Sequence, residues 1–245
     1  MILSSTVTRP VSATLTGLKP NTAYYYQAVI TSSLGVTNGL QISFTTAATP
    51  TLPPAFPATP VLDTFNRANG SLGSNWSGNT SGYSIKSNAL NVGDGGSIYW
   101  KAGNALSTSQ EAYVTLATID TTTLRQGLLL KVQSLSAPDF SLGTIAVLYD
   151  GLFRTIRVET FRTGSFAWTI YGSTFAPFAN GDRLGARALA NGEVWIYKNN
   201  TLVAKYTLTT ADQAFFNARG GRIGVTYLVA NKAVLDNFGG GSVAQ

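Results

Sequence analysis

The sequence predicts an all-β protein, a large two-sheet antiparallel sandwich preceded by a short β arm. Apolar residues alternate with polar ones at period two through most of the chain, turn signals interrupt that alternation repeatedly, and a single proline-rich stretch cuts the chain in two.

In the arm, residues 1–46, the spans Ala13 to Leu18, Ala23 to Ser32 and Leu40 to Thr46 read as three strands. Turn-rich breaks at Lys19-Pro20-Asn21 and at Leu34 to Gly39 separate them. Thr46 to Pro60 reads TAATPTLPPAFPATP and holds five of the nine prolines. Proline fixes φ and lacks the amide donor, so residues 47–60 are expected to form a stiff extended linker. Residues 61–240 form the sandwich, and 241–245 a flexible glycine-led tail.

Within the sandwich the alternating runs are Ala112, Val114 and Leu116; Leu128, Leu130 and Val132; Ile145, Val147 and Tyr149; Ile156 and Val158; Phe166, Trp168 and Ile170. They continue with Val194 and Ile196, then Leu202, Ala204, Tyr206 and Leu208, then Ile223, Val225 and Tyr227. Lys198-Asn199-Asn200-Thr201 is a tight hairpin signal, and Arg162 to Ser165 and Ala190 to Glu193 are further turns. No helical stretch is evident, and many short strands favour a two-sheet sandwich over a βαβ fold.

Composition narrows the function. Charged residues are 11% of the chain against about a quarter in ordinary soluble domains, so the surface is built from hydroxyls, amides and glycine. Cysteine and histidine are both absent. That removes disulfides, thiolate sites, the commonest metal ligand and every Ser-His-Asp arrangement. The net charge of +6 comes from singly scattered cations, so nucleic acid is not an expected partner. No run of eighteen apolar residues occurs, so no membrane insertion is expected.

Two resemblances sharpen this. Leu18, Pro20, Thr22, Tyr24 and Tyr26, with Ser33-Leu34-Gly35 and Phe44-Thr45-Thr46, resemble the second half of a fibronectin type III domain, an immunoglobulin-like sandwich. The resemblance implies that Tyr24 holds a tyrosine corner, its phenol bonded back to the main chain. It covers about 45 residues where such a sandwich needs about 100. The arm should therefore be completed by upstream residues, a neighbouring copy or other protein subunits.

The second resemblance begins with Asp63-Thr64-Phe65-Asn66-Arg67, Gly70 to Trp76 and Ser87-Asn88-Ala89-Leu90. It continues with Gly181-Asp182-Arg183-Leu184, Val194 to Asn199, Gly221-Arg222-Ile223-Gly224 and Leu235-Asp236-Asn237-Phe238. This order resembles the concanavalin A-like, laminin G-like jelly-roll domains of bacterial extracellular proteins and of phage tail or other virion proteins. It implies an extracellular or virion setting and a scaffold that serves lectins, glycanases, adhesion modules and structural units alike. It also implies that Asp63-Thr64-Phe65 lies beside Asp236-Asn237-Phe238. The aspartates Asp63 and Asp236 could then bind calcium, or each could cap a turn; no other cofactor is expected.

Glycanases of this type resemble one another in a strand of alternating carboxylates. The three glutamates here, Glu111, Glu159 and Glu193, each lack an acidic partner two to four residues away. Glu159 in Arg157-Val158-Glu159 reads as an outward salt bridge, so no catalysis is expected. Sugar binding needs an aromatic platform with amides, hydroxyls or carboxylates nearby. Trp195 and Tyr197 share one strand face, Tyr99 and Trp100 sit beside Gly93-Asp94-Gly95-Gly96, and Tyr171 lies near Asn180 and Asp182; each also has a core reading. The expected function is non-catalytic binding of a glycan or cell-surface polysaccharide, with a purely structural, protein-binding role as the alternative.

Overall fold

The computed structural model describes residues 10, 12–46, 55–134 and 140–244. It comprises two compact units, residues 1–52 and 53–245.

The first unit is a hairpin of β1 (Ala23–Ser32) and β2 (Gly35–Thr45). Tyr24 lies opposite Phe44 and Tyr26 opposite Ile42, with a bulge between Gln27 and Val29. Ser33 and Leu34 alone make the turn, so the break expected at Leu34 to Gly39 is mostly strand. Ala13 to Leu18 is not a strand, which corrects the three-stranded reading. The Lys19 amide donates to the Tyr24 phenol at 2.8 Å. Tyr26, Ile30 and Ile42 remain exposed on the hairpin face.

The second unit begins with β3 (Val61–Asp63), β4 (Trp76–Gly78), β5 (Tyr83–Lys86), β6 (Ala89–Val92), β7 (Gly95–Trp100), β8 (Gln110–Thr118) and β9 (Arg125–Val132). It continues with β10 (Thr144–Asp150), β11 (Thr155–Phe161), β12 (Thr169–Phe175), β13 (Arg183–Ala188), β14 (Glu193–Lys198) and β15 (Thr201–Thr207). Helix α1 (Thr210–Phe216), β16 (Arg222–Leu228) and β17 (Val234–Ser242) complete it. Two antiparallel sheets result. One runs β12-β11-β10-β9-β16-β7-β4, the other β15-β14-β13-β8-β17-β6-β5 with β3 paired to β17. This is the expected jelly-roll sandwich. Asp63 pairs with Phe238, so the first and last strands meet as expected.

Period-two alternation sends Leu128, Ile145, Val147, Ile156, Val158 and Val225 inward from one sheet, and Val114, Leu116, Leu184, Ala186, Val194 and Ile196 inward from the other. Four expectations are corrected. Val132 leaves the core because Lys131 adopts φ 48°, a bulge that turns the following residue outward. Phe166 and Trp168 lie in the loop before β12, the first exposed and the second packed on the outer face, and Ile170 is exposed on this edge strand. A helix was not expected, yet Thr209 caps α1 by accepting the Asp212 amide at 3.3 Å, and α1 buries Phe216. The glycine tail is strand: β17 runs through Gly239-Gly240-Gly241 to Ser242, and the Tyr113 ring lies where a Gly239 Cβ would stand.

The linker expectation also changes. Residues 47–54 lie outside the described residues, but Ala55 to Pro60 form a strap on the outer face of the eight-stranded sheet. Phe56 is buried there, stacked on Tyr197 at 4.0 Å and edge-on to Tyr113 at 6.1 Å. Glu111 Oε1 accepts from the Ala58 amide (2.6 Å), the Thr59 amide (2.7 Å) and Thr59 Oγ1 (2.6 Å). Arg187 donates to Glu111 Oε2 at 2.8 Å and to the Ala55 carbonyl at 2.9 Å. Prolines keep this segment out of the ladder, so side chains of β8 and β13 satisfy its main chain instead.

Candidate functional site

The outer face of the seven-stranded sheet carries a groove of about 550 Å³. Its central row is set by register: Ile170, Glu159, Ala146, Leu129, Gly224, Tyr99 and Ser77 lie side by side across β12, β11, β10, β9, β16, β7 and β4. The next row holds Arg157, Leu148, Gly127, Thr226 and Ser97. Leu129, Ala146, Leu148 and Tyr99 are buried and form an apolar floor. Phe140, Phe161 and Trp168 make an aromatic wall, with centroids 5.1 to 5.5 Å apart.

Gly127 and Gly224 keep the floor open. A Cβ at Gly127 would meet the Val147 carbonyl oxygen at 2.0 Å, and one at Gly224 the Ile98 carbonyl oxygen at 2.0 Å.

Glu159 provides the groove's buried charge. Its Oε1 accepts from Arg157 Nε at 2.7 Å, and Arg125 Nη2 lies 3.4 Å from Oε2. The Arg157 pairing and the outward-facing side of the strand are as expected, but the carboxylate is buried there, 1% exposed. Oε2 has no hydrogen-bond donor, and neither has the buried hydroxyl of Thr144, two residues from Ala146 on the adjacent strand. Ser77 Oγ, at the end of the central row, is unpartnered too. Leaving a buried polar atom unpaired costs about 1–3 kcal/mol. These three atoms lie on the same face of the sheet.

The other candidate aromatics fall elsewhere. Trp195 and Tyr197 do point away from the core beside Val194 and Ile196, but the strap covers them. Phe56 lies on Tyr197, and Lys205 Nζ sits 4.0 Å above the Trp195 ring. They form no open platform. Burial raises the Tyr197 and Tyr113 phenols above their ordinary value. Trp100 faces the core, edge-on to Trp76 at 5.4 Å. Tyr171 also faces inward: its hydroxyl donates to Asp212, which Thr160 and Arg162 hold as well. Burial first, then the bond to Asp212, raises its phenol. Only Tyr99 of the five borders the groove.

Asp63 is engaged in a turn. Its Oδ1 accepts from the Phe65 amide at 2.8 Å and Arg67 Nη1 at 2.7 Å, and its Oδ2 from Trp76 Nε1 at 2.8 Å and Arg67 Nη2 at 3.2 Å. Burial alone would raise this carboxyl, but these bonds and the Arg67 charge outweigh it and hold it below the ordinary value. Asp236 Oδ1 accepts the Asn237 amide. Both carboxylates thus accept main-chain amides of the following turn.

Sequence reasoning missed Trp168, Phe140 and Thr144 as groove residues. It read Trp168 as part of a core stripe; Arg157 and Glu159 alternating on one strand were the available signal.

No family model and no curated protein matches the chain. Among solved structures, it is similar to the carbohydrate binding module CBM66 from Bacillus subtilis, at 15% identity and a TM-score of 0.46, covering 71% of this chain and 95% of that one. It is similar to the endo-β-1,3-glucanase from Pyrococcus furiosus, at 12% identity and a TM-score of 0.49, covering 76% and 95%. A Bacillus subtilis protein of unknown function with a galectin-like fold gives 13% identity and 0.49, covering 76% and 98%.

Proposed function

We propose that this chain is a non-catalytic carbohydrate-binding or surface-adhesion module of a larger extracellular or virion assembly, and that its ligand occupies the groove of the seven-stranded sheet. The observation that supports this reading is the Glu159 carboxylate, whose Oε2 meets only the Arg125 charge, and the unbonded Thr144 hydroxyl, both buried beside the Trp168 ring in a groove that also carries Asn79, Ser97 and Thr226. A pyranose offers what such a surface lacks: hydroxyl donors at its edge and an apolar face for an aromatic ring. Trp168 supplies the ring, Glu159 and Thr144 the acceptors, and Arg125 a donor.

Binding without turnover is favoured because Glu159 is held by Arg157 and Arg125 and, apart from Asp94 in the groove lining, the other carboxylates named here have other duties. Glu111 holds the strap, Glu193 accepts from Trp195 Nε1 and Asn191, and Asp150 Oδ1 closes the Leu152-Phe153 turn. Retaining or inverting hydrolysis needs two carboxyl groups facing one bond. The exposed apolar hairpin of the arm favours a second role, attachment to other protein subunits.

A glycan array probed with the full chain and with Trp168→Ala and Glu159→Gln tests the reading. The expected result is a defined set of sugar hits lost in both folded variants. No hits from folded wild-type chain, or hits unchanged in both variants, would overturn it.

A further inference from the structure

One end of the seven-stranded sheet carries an apolar rim that borders the groove at Leu228. Three loops meet there: the β8–β9 loop with Leu124, the β10–β11 turn with Leu152 and Phe153, and the β16–β17 loop with Leu228 and Val229. Hydrogen bonds tie them together, from the Gly151 amide to the Thr123 carbonyl at 2.9 Å and from Thr123 Oγ1 to the Leu228 carbonyl at 2.7 Å. Exposure is 55% at Leu152, 64% at Phe153 and 88% at Val229.

Other turns of this sandwich carry the expected polar and flexible residues, Thr163-Gly164, Asn191-Gly192 and Asn199-Asn200. Asn199 takes its left-handed conformation with the residue type suited to it, whereas Val229 takes φ 53° with a β-branched side chain that packs on almost nothing. A strained valine held out in water has no stabilising role within the fold, which points to a contact outside it. The exposed cations of the rim are Arg154 and Lys232, the latter beside the buried Asp120 carboxylate, against Asp94 as an exposed carboxylate, while Arg125 is paired with Glu159 in the groove.

We infer that this rim is a peripheral contact for an anionic lipid surface, with Leu152, Phe153 and Val229 dipping among the headgroups and Arg154 and Lys232 meeting their negative charge. The apolar groups sit at separate loop tips rather than on one flat face. That shape suits a soft interface better than a rigid protein partner, and it requires no spanning segment.

Sedimentation of the full chain with vesicles of equal parts phosphatidylcholine and phosphatidylglycerol, against phosphatidylcholine alone, tests this. Wild type is expected on the anionic vesicles and largely off the neutral ones. The Leu152→Ser/Phe153→Ser double variant should partition about tenfold less, with its melting temperature unchanged. Arg154→Glu should also weaken binding. Phe166→Ser, which removes a still more exposed ring beyond the other end of β11, should leave partitioning as it was. Wild type remaining in the supernatant, or Phe166→Ser lowering partition as much as the double variant, would overturn the inference.

Discussion

The rings of Phe56 and Tyr197 lie 4.0 Å apart and within 4° of parallel. This stack joins a proline-flanked segment to the outer face of a sheet whose next two strands hold Arg187 and Glu111, both essentially inaccessible to water. The strap shields that ion pair, and the ion pair holds the strap's main chain. Removing either half should therefore damage the other.

Phe56→Ala is expected to destabilise the sandwich by about 3–5 kcal/mol, read as a shift in the urea midpoint. Gly185→Ala should do comparable harm, because its Cβ would stand 2.1 Å from the Phe56 ring. Limited proteolysis should yield a resistant fragment that begins upstream of Ala55; a stable fragment starting at Val61 would contradict the strap's role.

Glu111→Ala leaves Arg187 buried beside no carboxylate, and about 3–5 kcal/mol of stability should go with it. The same reasoning separates structure from chemistry. Incubation of wild type with β-glucan or agar should release no reducing ends above a heat-killed control. Release that a folded Glu159→Gln variant abolishes would show that Glu159 is catalytic.

Thr144→Val tests the groove through opposite movements of two measurements. Replacing an unpartnered buried hydroxyl by a methyl group should raise stability by roughly 1 kcal/mol, while ligand affinity falls. Equal or lower stability with unchanged affinity would mean that the hydroxyl serves the fold.

Stability should pass through a maximum in alkali. Burial pushes the Lys131 ammonium down from its ordinary 10.5 to about 8, and it donates to the carbonyls of Leu189 and Phe216 without a carboxylate. Between those two values the unfolded chain binds the proton and the native chain does not, so stability rises with pH. Burial raises the phenols of Tyr83 and Tyr227, so above their ordinary value of 10.0 the native chain keeps protons the unfolded chain loses, and stability falls. Urea midpoints should climb from about pH 8 towards 10 and then drop, and Lys131→Met should flatten the climb.

The sandwich was legible because burial on one face writes itself into a period of two. Val114, Val147 and Val225 announce their strands without any knowledge of their neighbours. The groove was less legible because its parts come from seven strands: Glu159, Leu129 and Tyr99 share a row only once register is known. Trp195 and Tyr197 misled for a related reason. Their face was read correctly, but what covers it lies more than 130 residues upstream, in a segment whose prolines suggested a spacer. An aromatic residue set between prolines, as in Pro54-Ala55-Phe56-Pro57, was the one clue to an anchor.

Gly127 and Gly224 give the groove a kind of insurance. Its depth is set by main chain, and any larger residue at either position would strike the carbonyl of the adjacent strand before it filled the hollow. A lineage that keeps this sheet intact therefore keeps the recess open, whatever it binds. Trp168 and Phe140 at the margins remain free to change, so selection on folding would preserve the vessel while its selectivity drifts.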